Sequence, residues 1–200
     1  MNWLARLVGV GRSGETEKNH DAPETMERQA RPSLGVAAVF DVATPDGRHA
    51  VLDLGRASET GMEVYRRYAR RIRFADLLPV DGAGTLEEAT RASFEAAIPA
   101  QPDHPYDLIL AWDVFDRVAP EARPALVEVL ADRCAAGARL HVVVDPSDTP
   151  TIARYRFTPL DIDRVRYEPA GEAPRTAGPL LPAPVERLLD PFEVVRAFTL

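Results

Sequence analysis

The chain has 200 residues, 31 acidic against 24 basic side chains, a formal net charge of −7 and one cysteine. Its length suits one domain with a real hydrophobic core, and 46% apolar with 28% charged residues excludes wholesale disorder. The acidic balance argues against nonspecific nucleic-acid binding, the lone Cys134 excludes an internal disulfide or a cysteine-based metal cluster, and no apolar run approaches the roughly 18–20 residues of a membrane helix.

Residues 1–32 read as a flexible leader ahead of a single domain at 33–200. Trp3, Leu4, Leu7 and Val8 fit one face of a short helix, and the polar stretch after them has no periodicity. Arg6 interrupts the apolar start, so a secretory signal is not expected and a cytoplasmic protein is. From 33 to 43 apolar residues recur at near-helical spacing behind a capping Ser33, and 44–48 is a turn. The run 49–55 predicts a buried strand, 59–71 an amphipathic helix carrying Met62, Tyr65 and Tyr68, and 72–79 a second strand. Thr85 and Glu88 form a capping-box pattern, so a helix is expected over 85–98. A third strand and its exit loop follow at 106–115, a helix at 120–137 stopped by Gly137, and a fourth strand at 138–145. Beyond Asp145 the segments ARYRF and RVRYE suggest a hairpin or an arm over the sheet, 184–190 a short helix, and 192–200 a last strand.

Continuous apolar strands alternating with helices predict an α/β fold with a doubly wound, mostly parallel sheet. The expected spatial order is second, first, third, fourth, with the final strand beyond the fourth. Ligands in such sheets bind at the carboxyl ends of the strands. There the chain places Asp53 and Gly55 after the first strand, Asp76 after the second, and Ala111-Trp112-Asp113 after the third. A carboxylate such as Asp76 is suited to accept hydrogen bonds from both hydroxyls of a ribose.

This set resembles the class I S-adenosylmethionine-dependent methyltransferases. It does so through VLDLG at 51–55, Asp76, YDLILAWDVFDRV at 106–118 and ARLHVVVD at 138–145. The resemblance implies a Rossmann-like methyltransferase fold and S-adenosylmethionine as cofactor. It places Asp53, Gly55 and Ala57 in the cofactor loop, Asp76 on the ribose, Trp112 beside the sulfonium, and Asp113 as a proton acceptor in methyl transfer to a small molecule or protein. The chain departs from the family pattern at Ala57 and Glu59, where the family loop carries glycines. It also has one helix between Asp76 and Tyr106 where a strand is usual, and it lacks the final hairpin arm. A degenerate member acting as a binding or scaffolding module is the alternative.

Each residue also has a plainer role. Asp53 can accept backbone hydrogen bonds at a tight strand exit, Asp76 can be a loop carboxylate, Trp112 a core aromatic and Asp113 a solvated surface acid. His141 reads as a strand core residue, and His49 and His104 are too isolated for a metal, so none is expected. Arg66, Arg67, Arg70, Arg71 and Arg73 read as a solvated helix face or a site for an anionic partner. No Gly-x-Gly-x-x-Gly or Gly-Lys-Ser/Thr loop supports a nicotinamide or nucleoside-triphosphate site, and no base-methylation motif supports a nucleic-acid substrate.

Overall fold

Runs of branched apolar residues bounded by turns build the centre of the protein. A computed structural model describes residues 4–9, 30–45, 47–77, 89–101, 103–175 and 178–199, with the backbone alone for 4–9, 194–199, 173 and 182. The strands are β1 (Leu4–Gly9), β2 (Ala30–Pro32), β3 (His49–Asp53), β4 (Ala69–Phe74), β5 (Tyr106–Leu110), β6 (Cys134–Val144), β7 (Thr151–Asp161), β8 (Arg164–Pro174) and β9 (Glu193–Thr199). The helices are α1 (Leu34–Phe40), α2 (Glu59–Arg66), α3 (Arg91–Ala97), α4 (Val114–Arg117), α5 (Arg123–Arg133) and α6 (Pro182–Leu188).

One sheet has six strands in the order β4-β3-β5-β6-β1-β9, and each adjacent pair is parallel. The expected order of the four predicted strands, β4-β3-β5-β6, is observed. Their fully buried residues, among them Val51, Leu52, Leu108, Ile109, Leu140 and Val142, form the core. A sheet buried this way needs cover. Phe40 of α1 stacks on Tyr65 of α2 with ring centroids 5.9 Å apart, and Arg91 of α3 bridges to Glu128 and Asp132 of α5. The usual right-handed sense of parallel crossovers would put these two helix groups on opposite faces. A second, antiparallel sheet runs β2-β8-β7. It contains the expected hairpin from 151 to 174.

Several expectations are corrected. Leu4–Gly9 is a strand rather than a helix face, and it lies between β6 and β9, so the last strand does not adjoin β6 directly. Ala30–Pro32 pairs with β8, while 10–29, the polar part of the expected leader, lies outside the described residues. The helix after Asp53 stops at Arg66 and β4 begins at Ala69, because pairing with β3 captures residues whose own propensity is helical. Arg70, Arg71 and Arg73 are therefore on a strand. Likewise β6 begins at Cys134, and Gly137 (φ +80°) serves an irregularity in the β5–β6 register rather than a helix stop. The box at Thr85 lies outside the described residues. The box observed joins Thr90, whose hydroxyl accepts from the Ser93 backbone, to Ser93, whose hydroxyl accepts from the Thr90 backbone. Among the described residues no helix is long and apolar enough to cross a membrane.

The start of α2 depends on a close approach. Ser58 caps it by accepting from the Gly61 backbone at 3.0 Å, and a Cβ on Gly61 would lie 2.8 Å from that hydroxyl. Gly61→Ala should cost about 1–2 kcal/mol, the value of the displaced cap. Because both changes break the same cap, Gly61→Ala combined with Ser58→Ala should cost clearly less than the sum of the two in urea denaturation.

Candidate functional site

The chain leaves β3 toward β4 on one side, and β5 leads to β6 on the other, so the switch in strand order lies between β3 and β5. Their exits are stitched together. Leu54 N donates to Leu110 O at 2.9 Å, and three consecutive amides after β4, from Ala75, Asp76 and Leu77, donate to Asp53, Gly55 and Leu54 oxygens.

Asp53 sits at the centre, 2% exposed. Its Oδ1 accepts from Gly55 N at 2.7 Å and from the Trp112 indole at 2.6 Å, and its Oδ2 accepts from the Tyr65 hydroxyl at 2.6 Å. Burial pushes its pKa up to about 6, against the three donors, which favour the charged form. The same burial, together with the Asp53 charge, raises the Tyr65 hydroxyl well above its ordinary range. At neutral pH Asp53 is therefore a carboxylate committed to three protein donors.

Gly55 is tight on its inner side. A Cβ there would meet Asp53 Oδ1 at 3.0 Å and Trp112 Cδ1 and Nε1 at 3.2 Å. The glycine admits the Trp112 ring. Trp112 is 1% exposed and holds φ +49°, an uncommon conformation for a side chain of its bulk. Phe157 of β7 stacks on it at 5.0 Å with planes 6° apart, and His141 meets it edge-on at 5.6 Å. Its burial accords with the core role expected of it. His141 is buried as expected, with neither ring nitrogen hydrogen-bonded, and burial drives its pKa down to about 3.

The remaining predicted residues separate. Asp76 is exposed, at φ +46°, with its carboxylate unpaired among the described residues. Ala57 is exposed before the Ser58 cap, and exposed Glu59 is the first residue of α2, where an acid suits the helix dipole. Asp113 is not a surface acid. It is 5% exposed, and its Oδ2 accepts from Arg117 at 2.6 and 3.1 Å.

Asp113 leads into a buried charged junction that the sequence reading missed. Arg117 also donates to the Tyr155 carbonyl of β7 at 3.0 Å, and Arg154 of β7 is 6% exposed near Asp113. Asp116, 4% exposed, accepts from Asp145 N at 2.7 Å, and Asp145 pairs with Arg175 at 3.0 Å. One oxygen each of Asp113 and Asp116 is buried without a hydrogen-bond partner. Burial raises both pKa values, that of Asp116 to about 7. The one visible signal was the Asp113–Arg117 spacing of four on a helical turn. Phe157 and Tyr65 carried none beyond an apolar pattern.

The hairpin thus covers the carboxyl ends of β3 and β5. Chemically, the site offers acids that hold loops and arginines, while Asp76 presents its carboxylate to solvent. Among the described residues no group of side chains suits a metal ion. Comparison with protein-family models, with curated proteins and with solved structures finds no match to this chain.

Tyr65→Phe removes a donor from a buried carboxylate and should cost about 1.5–3 kcal/mol at pH 7. The defect should shrink at pH 5, where Asp53 holds a proton, in paired denaturation curves. Asp116 and Asp53 titrate above their unfolded values, so their contribution is full below the unfolded pKa and is lost as pH rises toward about 7 and about 6. His141 acts oppositely, its contribution being lost as pH falls from its unfolded value toward about 3. Asp116→Asn keeps the neutral form at every pH. Relative to wild type it should gain about 1–3 kcal/mol of stability between pH 5 and pH 8.

Proposed function

We propose that the protein is a class I methyltransferase-fold chain that serves as a binding or scaffolding module, its cofactor crevice filled by its own side chains. The strand order and the residues carrying the resemblance support that family. One observation carries the rest: the Trp112 indole packs against Gly55, bonds to Asp53 and lies beneath Phe157. The residues present do not fit the methionine end of S-adenosylmethionine, because the face of Gly55 that would admit it holds tryptophan. Asp113, paired with Arg117, is also poorly placed to take a proton from an acceptor. We derive no transfer step. A cytoplasmic location accords with the single buried thiol of Cys134, whose pKa burial raises.

A methyltransferase that binds S-adenosylmethionine is the second reading, favoured by the solvent-facing Asp76 at the end of β4, whose amide donates to the Gly55 carbonyl at 3.3 Å. Calorimetric titration of the full chain with S-adenosylmethionine and S-adenosylhomocysteine separates the two. The module reading expects no binding by the wild type. Glu59→Gly should leave that unchanged, since Glu59 belongs to the helix start. Saturable wild-type binding that Asp76→Ala weakens by about 1.5–3 kcal/mol would overturn the module reading and establish the enzyme-like one.

A further inference from the structure

The geometry points to the outer edge of β4 as a docking surface for an acidic, extended segment of a partner protein, added as a further strand. β4 is the terminal strand, paired only with β3 among the described residues, so the outward amides and carbonyls of Ala69–Phe74 meet no neighbouring strand there. Arg70, Arg71 and Arg73 lie on it and Arg66 and Arg67 at the end of α2 just before it, five exposed arginines within eight positions of a chain whose net charge is −7. Arg67 makes a long contact with Asp161 at 3.4 Å, and Arg73 donates to the Ala97 carbonyl at 3.4 Å. Arg66, Arg70 and Arg71 form no ion pair among the described residues.

Phe74 packs on Tyr65 of α2, while the β3–β4 register shifts between Ala69 and Arg71, so exposed Arg70 sits at that irregularity in the edge. Arg71 and Arg73 belong to the face opposite Phe74, where Arg73 reaches the end of α3. A strand added to β4 would project alternate side chains toward the face of Arg71 and Arg73 and run past Arg70 at the irregularity. Aspartates and glutamates along it would therefore meet guanidinium groups.

Charge also selects the occupant. A row of arginines along an edge repels a second copy of itself and penalises a neutral strand, which would desolvate them without compensation. An acidic strand offsets that cost and is steered in. Nucleic acid is disfavoured by the overall negative charge and by the lack of an exposed aromatic ring beside the arginines for stacking, since Tyr68 packs on Phe40. The inference does not depend on the crevice, so cofactor binding and edge docking can fail separately.

The test is fluorescence anisotropy of the full chain with a fluorescein-labelled peptide carrying a contiguous Asp/Glu run between valines and threonines. Two further probes are the same composition with prolines set into the run, and an oligothymidylate of similar length. The acidic peptide should bind saturably at low salt and weaken as salt approaches about 0.1 M. Arg70→Glu with Arg71→Glu should weaken it by roughly tenfold or more, while Arg164→Glu on the exposed part of β8 leaves it unchanged. Arg71→Ala, a milder change, should show a smaller loss in the same direction and keeps the result readable if the double reversal perturbs folding. The proline peptide should bind far more weakly, because it cannot pair along the edge. Equal affinity of the edge variants for the acidic peptide, equal binding of the proline peptide, or oligothymidylate binding of equal strength would each overturn the proposal.

Discussion

The Asp53 carboxylate holds the ends of three elements together. Its oxygens receive the turn that leaves β3, the hydroxyl of Tyr65 on α2 and the indole of Trp112 at the exit of β5. Removing this charge from water is expensive, and the three donors do not fully cancel the cost. A pKa raised from 3.8 to about 6 means that folding disfavours the charged form by roughly 3 kcal/mol relative to the neutral one. That cost is tolerated because the arrangement specifies the geometry of the whole switch region. With any donor missing, a buried carboxylate would be left short of partners, which is costlier than the bond itself.

The hairpin is bound to the same place by different means. Its apolar contribution is Phe157, laid flat on Trp112, and its polar contribution is the junction of Asp113, Arg117, Arg154 and the Tyr155 carbonyl. Stacking of this kind adds about 0.5–1.5 kcal/mol beyond buried area. Buried ion pairs add little net stability but penalise misplacement heavily, since a lone buried charge costs several kcal/mol. Asp113 and Asp116 each keep one oxygen without a partner, so the junction is also where protonation most readily changes the fold's stability.

The fold was largely legible because parallel strands buried on both faces leave continuous apolar runs. That reading found β3, β5 and the body of β6, and the parallel order of the four predicted strands followed. Boundaries were less legible where one segment suits two structures. The arginines after Tyr68 have good helical propensity, and only pairing with β3 makes them strand. The first apolar residues were read as a helix face, yet Leu4–Gly9 takes a place in the sheet that depends on β6 and β9, segments more than a hundred positions away. The site shows the same limit. Asp53 was legible as a strand-end acid accepting the Gly55 amide, two residues on. Its other donors lie 12 and 59 positions away, and no local pattern ties them to it.

Trp112 and β4 together suggest how a fold built around a crevice is turned outward. At the switch point three features that the resemblance assigns to a ligand serve the chain: the glycine admits an indole, the carboxylate binds a loop, and the acid after Trp112 anchors an arginine that anchors a hairpin, while Asp76 stays open to solvent. A residue held at φ +49° carries backbone strain of about 1–3 kcal/mol, and it persists only because stacking and hydrogen bonding over-determine its position. Stability is thus concentrated where the resemblance would place chemistry. On the outer strand, by contrast, backbone groups without a neighbouring strand among the described residues coincide with surplus positive charge. Binding free energy comes from groups that folding has not already satisfied, and on the proposed reading the β4 edge therefore has more to offer a partner than the crevice at Gly55 and Trp112 has to offer a cofactor.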